Sequence, residues 1–192
     1  MGSYFHKFID LCIIKTVYMT SQQKIKEAVN RSIRALSLKP SLGLGTGISK
    51  TRITNGLTCE ITEGKYKLIA DMPESVGGNA SAPTPGVYGR AAFGSCLAIG
   101  YMMQASALNI KIDSLEVEVH ADYDDGALLG TSSAPPGYLE VRFTVTVESD
   151  AAEDRILQML DIADKQSPYL DVFRREQKCT RDVNIISSKM SA

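Results

Sequence analysis

Between Gly86 and Leu108 the chain carries a single charge, Arg90, and is apolar nearly all the way round any helix it forms. Such a helix must be covered on every side. Lipid could supply the cover, because the uncharged run from Ala91 to Leu108 reaches the roughly 18 residues of a membrane span. Gly94, Ser95, Gly100, Gln104 and Ser106 interrupt that run and Asn109 closes it, so the reading is a helix buried in a soluble domain. A Gly/Pro loop, Gly77 to Gly86, leads into the helix and places Cys96 close to its start. A helix N-terminus or a neighbouring arginine can stabilise a thiolate, which makes Cys96 the first place to look for chemistry.

The chain has 192 residues, 44% of them hydrophobic, enough for one domain with a sizeable core. Twenty-one basic residues stand against 22 acidic ones with no Lys/Arg run, so nucleic acid is not an expected partner. Cys12, Cys59, Cys96 and Cys179 are scattered, without a C-x-x-C pair, and this argues against a disulfide framework or a zinc site. No metal or cofactor is expected. Of the two histidines, His6 lies near Cys12, and His120 ends an alternating strand whose other face is apolar, as a solvated histidine would.

Residues 4–19 are hydrophobic, but Asp10 and Lys15 break the run and no small-residue cleavage site follows, which excludes a signal peptide. Thr20 and Gln23 form a T-x-x-Q capping box directly after Met19, a natural protein start. Residues 1–18 therefore read as an upstream extension from a misassigned start codon, which N-terminal mass analysis of native protein would test.

Ile25, Ala28, Val29, Ile33 and Leu36 keep helical spacing, predicting an amphipathic helix over 21–37 that Pro40 stops. Gly43, Gly45 and Gly47 then form a linker; with no strand before them and no clear helix after, they do not make a phosphate loop. Strands are expected at 50–53, 56–62 and 65–71, with a tight turn at Glu63-Gly64. Leu115–His120 and Val141–Val147 alternate cleanly, so each strand should have one core face and one wet face. Between them Asp122, Asp124 and Asp125 lack the spacing of a calcium loop and read as a solvated turn. Asp150 and Glu153 form an acidic analogue of a capping box, opening a helix with Ile156, Leu157, Leu160 and Ala163 inward. A short helix over Tyr169–Arg174 and a last strand over Val183–Ile186 complete the pattern.

This order of elements, with Gly77-Gly78, Pro83-x-Pro85, Ala91-Ala92-Phe93-Gly94-Ser95-Cys96, Asp113-Ser114-Leu115-Glu116-Val117-Glu118-Val119 and the segment Ala163 to Phe173, resembles the OsmC/Ohr family of thiol-dependent peroxide-defence proteins. The resemblance spans roughly residues 50–186. It implies an α+β fold, antiparallel sheets around a long buried central helix, made as an intertwined homodimer. The chain then divides into an extension (1–20), a helix with its Gly-rich linker (21–49) and the OsmC-like domain (50–192).

In the peroxide-reducing members a reactive cysteine on the central helix is supported by an arginine and a glutamate and paired with a second cysteine. Cys96 matches the first cysteine. The glutamate position falls on Gly86, the second cysteine on Ser167, and the arginine near Asn55, with Arg52 the closest basic residue. Arg90 is the alternative cation, but six residues of helix place it about 120° around from Cys96. Gly89, Phe93 and Gly100 share the face of Cys96 and would form an apolar slot beside the sulfur. Tyr88 and Tyr169 are candidate hydrogen-bond donors to a bound oxygen, and Ser167 a polar wall.

Two functions follow from the resemblance. One is a cytoplasmic one-cysteine reductase of organic hydroperoxides, acting through Cys96 and restored by an external thiol reductant. The other is a non-catalytic module that binds a small apolar or thiol ligand at the dimer interface.

Overall fold

The computed structural model describes residues 20–186. The expected extension, apart from Thr20, and Cys12 and His6 with it, lie outside the described residues. Helix α1 (Ser21–Leu38) starts at the expected capping box: the Thr20 hydroxyl accepts from the Gln23 amide, and the Gln23 side chain accepts from the Thr20 amide. A 3-10 turn at Pro40–Gly43 and an extended linker lead to a three-stranded antiparallel meander. Its strands are β1 (Lys50–Asn55), β2 (Thr58–Glu63) and β3 (Tyr66–Ala70), in that order. Glu63 pairs with Tyr66, so the tight turn centres on Gly64 and Lys65, with Gly64 at a φ of 55°.

Helix α2 (Pro85–Ala107) is the long apolar segment. Strands β4 (Ser114–Asp122) and β5 (Glu140–Glu148) pair antiparallel along their whole length, residue by residue from Ser114–Glu148 to Asp122–Glu140. Both alternate between exposed and half-buried positions, as their sequence requires. Their inner residues, Leu115, Val117, Val119, Val141, Phe143 and Val145, pack against the core cluster. Gly94 brings α2 close to this hairpin, since a Cβ there would stand 3.2 Å from Val119 Cγ2.

Three expectations need correction. The acidic capping box before helix α4 (Glu153–Lys165) does not form: the N-cap is Ala152, one residue before the helix, with no side-chain bond. On that helix Met159 and Ala163 are buried while Leu157 is 53% exposed, because the buried stripe follows Ile156, Met159, Leu160 and Ala163. No strand forms over 183–186; the chain beyond helix α5 (Pro168–Arg174) runs exposed through Ile186 without a ladder partner among the described residues. The solvated acidic turn contains one further feature, a single helical turn α3 (Asp125–Leu128) that Asp124 caps through the Gly126 amide.

The core is one cluster: Phe93, Leu97, Tyr101 and Ala105 from α2, Ile110, Met159 and Ala163, and Leu170 of α5. Four-residue steps put those α2 residues on one stripe. The opposite stripe, Val87, Ala91, Ser95, Ile99 and Met103, is exposed, Ile99 by 61%. Within one chain the apolar helix is therefore covered on one side, not on every side. No helix among the described residues is long and apolar enough to cross a membrane.

Candidate functional site

Cys96 is half-buried on α2, one turn beyond Phe93. Its Sγ lies 3.9 Å from the Ser167 hydroxyl, the only hydrogen-bonding group found at the sulfur among the described residues. Ser167 is the N-cap of α5, and its oxygen accepts from the Leu170 amide at 3.3 Å. With its oxygen committed to that cap, the hydroxyl proton is free to point at the sulfur. Five residues along α2, the Tyr101 hydroxyl donates to Asp164 at 2.6 Å, holding α4 to α2 three residues before Ser167. Burial, reinforced by the bond to Asp164, keeps the Tyr101 phenol protonated well beyond the usual range.

The rest of this helix face is roofed by aromatic side chains. Tyr138, just ahead of β5, donates its hydroxyl to the Gly86 carbonyl at 3.1 Å, and a Cβ on Gly89 would stand 3.3 Å from the Tyr138 hydroxyl oxygen. Its ring stacks on Phe173 of α5, with centroids 6.2 Å apart, and Phe173 packs on Phe93 at 4.7 Å. From the start of α2 toward Cys96 the face is thus met in turn by Tyr138, Phe173 and Ser167. Beyond the sulfur it opens: a Cβ on Gly100 would meet nothing within 4 Å.

The remaining candidates fall elsewhere. The Arg90 guanidinium folds back over the first turn, 3.4 Å from where a Cβ of Gly86 would stand, and so away from the Cys96 of its own chain. Arg52 sits on the exposed meander, across from Glu60. The Tyr88 hydroxyl is spent on the Ile69 carbonyl at 2.6 Å, tying α2 to β3. Tyr169 is 42% exposed on α5. Cys59 is half-buried on β2 and Cys179 exposed; both, like Cys96, are free thiols. His120 reaches Glu118, at 3.0 Å. Among the described residues no group of three His, Cys, Asp or Glu side chains could hold a metal ion. Two grooves of about 500 and 390 Å³ lie along the second half of α2, where α1 crosses it, and Cys96 lines neither.

Two residues escaped the reading of the sequence. Tyr138 follows Pro135-Pro136-Gly137, an aromatic ending a polar turn; its counterpart is the Gly86/Gly89 pair, whose three-residue spacing bares one helix face. Asp71 is 1% exposed at the end of β3. Its carboxylate accepts from the Ser81 hydroxyl at 2.6 Å, the Met72 amide at 2.8 Å, the Ser81 amide at 3.2 Å and the Asn79 amide, and from Thr58 at 3.1 Å. The Ser81 hydroxyl above all, with the three amides, holds Asp71 far below the usual carboxylate range. The loop so gathered needs Gly78, where a Cβ would fall 1.8 Å from the Met72 carbonyl oxygen. The Asp71 amide donates to Pro83 at 3.3 Å, fixing the approach to α2.

The same architecture occurs in solved structures. An OsmC like protein from Mycoplasma pneumoniae aligns with a TM-score of 0.57 at 16% identity, over 68% of this chain and 88% of its own. The organic hydroperoxide resistance protein OsmC of Legionella pneumophila aligns at 0.50 and 19% identity, over 68% and 90%. An organic hydroperoxide resistance protein from Elizabethkingia anophelis aligns at 0.50 and 16%, over 68% and 89%. At these identities the likeness is one of fold. No curated protein matches the chain. The family model described as OsmC-like protein matches residues 77–181, more than half of the sequence and the whole of the Cys96 site from Gly77 to Phe173. The chain belongs to the OsmC-like protein family.

Proposed function

We propose that the protein reduces organic hydroperoxides with Cys96 as its single reacting cysteine. The observation that carries this reading is the sulfur's setting: a half-buried thiol on an apolar helix face, with one hydroxyl, Ser167, 3.9 Å away. The thiolate attacks the outer peroxide oxygen, the O–O bond breaks, and the departing alkoxide takes a proton to leave as alcohol. Cys96 becomes a sulfenic acid. Ser167 offers a hydrogen bond to the sulfur but no second thiol, so an external thiol condenses with the sulfenic acid and releases water. A second thiol then frees Cys96 and leaves as the external disulfide. A reducing cytoplasm supplies such thiols and suits the three free cysteines among the described residues.

A homodimer belongs to the same proposal. The exposed α2 stripe through Ile99 and Met103, together with the uncovered meander, is the surface a second copy would bury. The second copy is also the source of a cation for the thiolate, Arg52 or Arg90, since neither is aimed at the sulfur of its own chain.

That neither Arg52 nor Arg90 is aimed at the sulfur of its own chain favours the second reading, a binding module whose Cys96 face holds a small apolar or thiol ligand without turnover. Intact mass after brief exposure to cumene hydroperoxide with a sulfenate trap separates the two. A fast adduct in wild type, absent in Cys96→Ser and slower with hydrogen peroxide, is the result expected of the reductase. A Cys96 unmodified under conditions that oxidise a free-thiol control overturns it in favour of binding.

A further inference from the structure

The two ends of the Cys96 face are unlike. Toward Gly100 it is open, while toward Gly86 it is covered by Phe173 of α5, by Arg90 of α2 itself and by Tyr138, the one of the three that belongs to neither α2 nor the helices packed on it. We propose that Tyr138 is a specificity-determining wall: it closes the Gly86–Gly89 end of the face and so limits the length of the apolar tail that can be buried beside Cys96. The inference rests on Cys96 as the reacting group, and not on the identity of its oxidant.

The geometry gives Tyr138 both a place and an anchor. Gly86, Gly89, Phe93 and Cys96 recur at three- and four-residue steps, so a ligand at the sulfur that extends toward the helix start must pass Phe173, which covers Phe93, and then run over Gly89 and Gly86, about 10 and 15 Å away. The bare glycines leave room beside the helix, and the hydroxyl end of Tyr138 reaches into it, 3.3 Å from where a Cβ of Gly89 would stand. The ring is fixed at two points, by the hydroxyl bond to the Gly86 carbonyl and by the stack on Phe173. Phe173 in turn leans on Phe93, so the wall is continuous with the core. Tyr138 is delivered by the long β4–β5 connection, which makes few other contacts with α2: Leu128 and Leu129 are 64% and 66% exposed. A residue on such a connection can change without disturbing the sulfur's own surroundings.

The test labels the full-length chain with N-methylmaleimide or N-decylmaleimide and reads each cysteine separately by peptide mass mapping. In Tyr138→Ala the decyl-to-methyl rate ratio at Cys96 rises about tenfold, the gain from burying roughly two more methylenes. The ratio at exposed Cys179 stays as in wild type and serves as the internal control. Tyr138→Phe keeps the ring and its stack, and its ratio rises about threefold, as expected from losing one neutral hydrogen bond. This variant also carries the test should the alanine variant fail to fold. Unchanged ratios at Cys96 in the folded variants overturn the proposal and mean that tails leave over Gly100. Because the readout is alkylation, a shifted ratio in a protein that no hydroperoxide oxidises would retain the wall and remove the peroxidase.

Discussion

The hairpin β4–β5 and the meander β1–β3 are both antiparallel, and both pair one apolar face with one polar face, yet only the hairpin buries its apolar side. In the hairpin, Leu115, Val117, Val119, Phe143 and Val145 lie on the core. In the meander, the pairings of Ile53 with Cys59, Cys59 with Ala70, and Ile61 with Leu68 put these residues on one face. Arg52, Glu60 and Ile69 share the other. Ile53 and Leu68 nonetheless remain 58% and 48% exposed, because α2 already spends its buried stripe on the hairpin, α4 and α5. Alternation sets which residues share a face; it does not supply the element that covers it. The meander is fastened chiefly at one corner, where Ala70 and Asp71 are buried and Tyr88 reaches the Ile69 carbonyl.

The largest effect that sharpens this contrast lies on the covered side. Leu97, 1% exposed between the hairpin and α4, should lose roughly 2–5 kcal/mol of stability as Leu97→Ala, from lost burial and the cavity left behind. Chemical denaturation at two protein concentrations checks it. The loss should be the same at both, because this core belongs to one chain.

The fastened corner gives a pH signature of smaller reach. Asp71 titrates lower in the folded protein than its unfolded value of about 3.9. Its stabilisation is therefore complete above that value and is lost as pH falls through the depressed folded one. Asp71→Asn removes this dependence. Its thermal melts should fall less steeply than those of wild type as the pH is taken from about 5 toward 2, while lying below wild type at neutral pH. Parallel acid limbs in the two proteins would mean that the carboxylate is not what gathers the loop.

Much of this arrangement was legible in the sequence where a local rule sufficed. The capping box at Thr20, the alternation of β4 and β5, and the apolar helix with its single cysteine all depend on neighbours a few residues away. Where the decisive partner is distant, the sequence was silent. Gly89 has room for a tail until Tyr138, 49 positions later, fills it. Arg90 carries the right charge at a plausible spacing, but it folds toward Gly86, whose missing side chain leaves the space. Leu157 fits a helical stripe that Met159 in fact carries. Asp71 gave no signal, since its partners are mostly backbone amides of a loop whose shape it helps to create.

The smallest effect is the one that could break the comparison outright. Leu68 and Ile69 are neighbours on β3 with nearly equal exposure, 48% and 49%, and they point to opposite faces. If the meander faces water on both sides, Leu68→Ser and Ile69→Ser should each shift stability by no more than about 0.5 kcal/mol, at any protein concentration. If a second copy covers the apolar face, the two must diverge. Leu68→Ser would then weaken the assembly, lowering the melting temperature at high concentration and shifting sedimentation toward the monomer, while at high dilution it would match Ile69→Ser. Ile69→Ser would stay close to wild type throughout, because its face carries Arg52 and Glu60. Equal behaviour at every concentration would leave the meander an uncovered sheet, with no second copy on its apolar face.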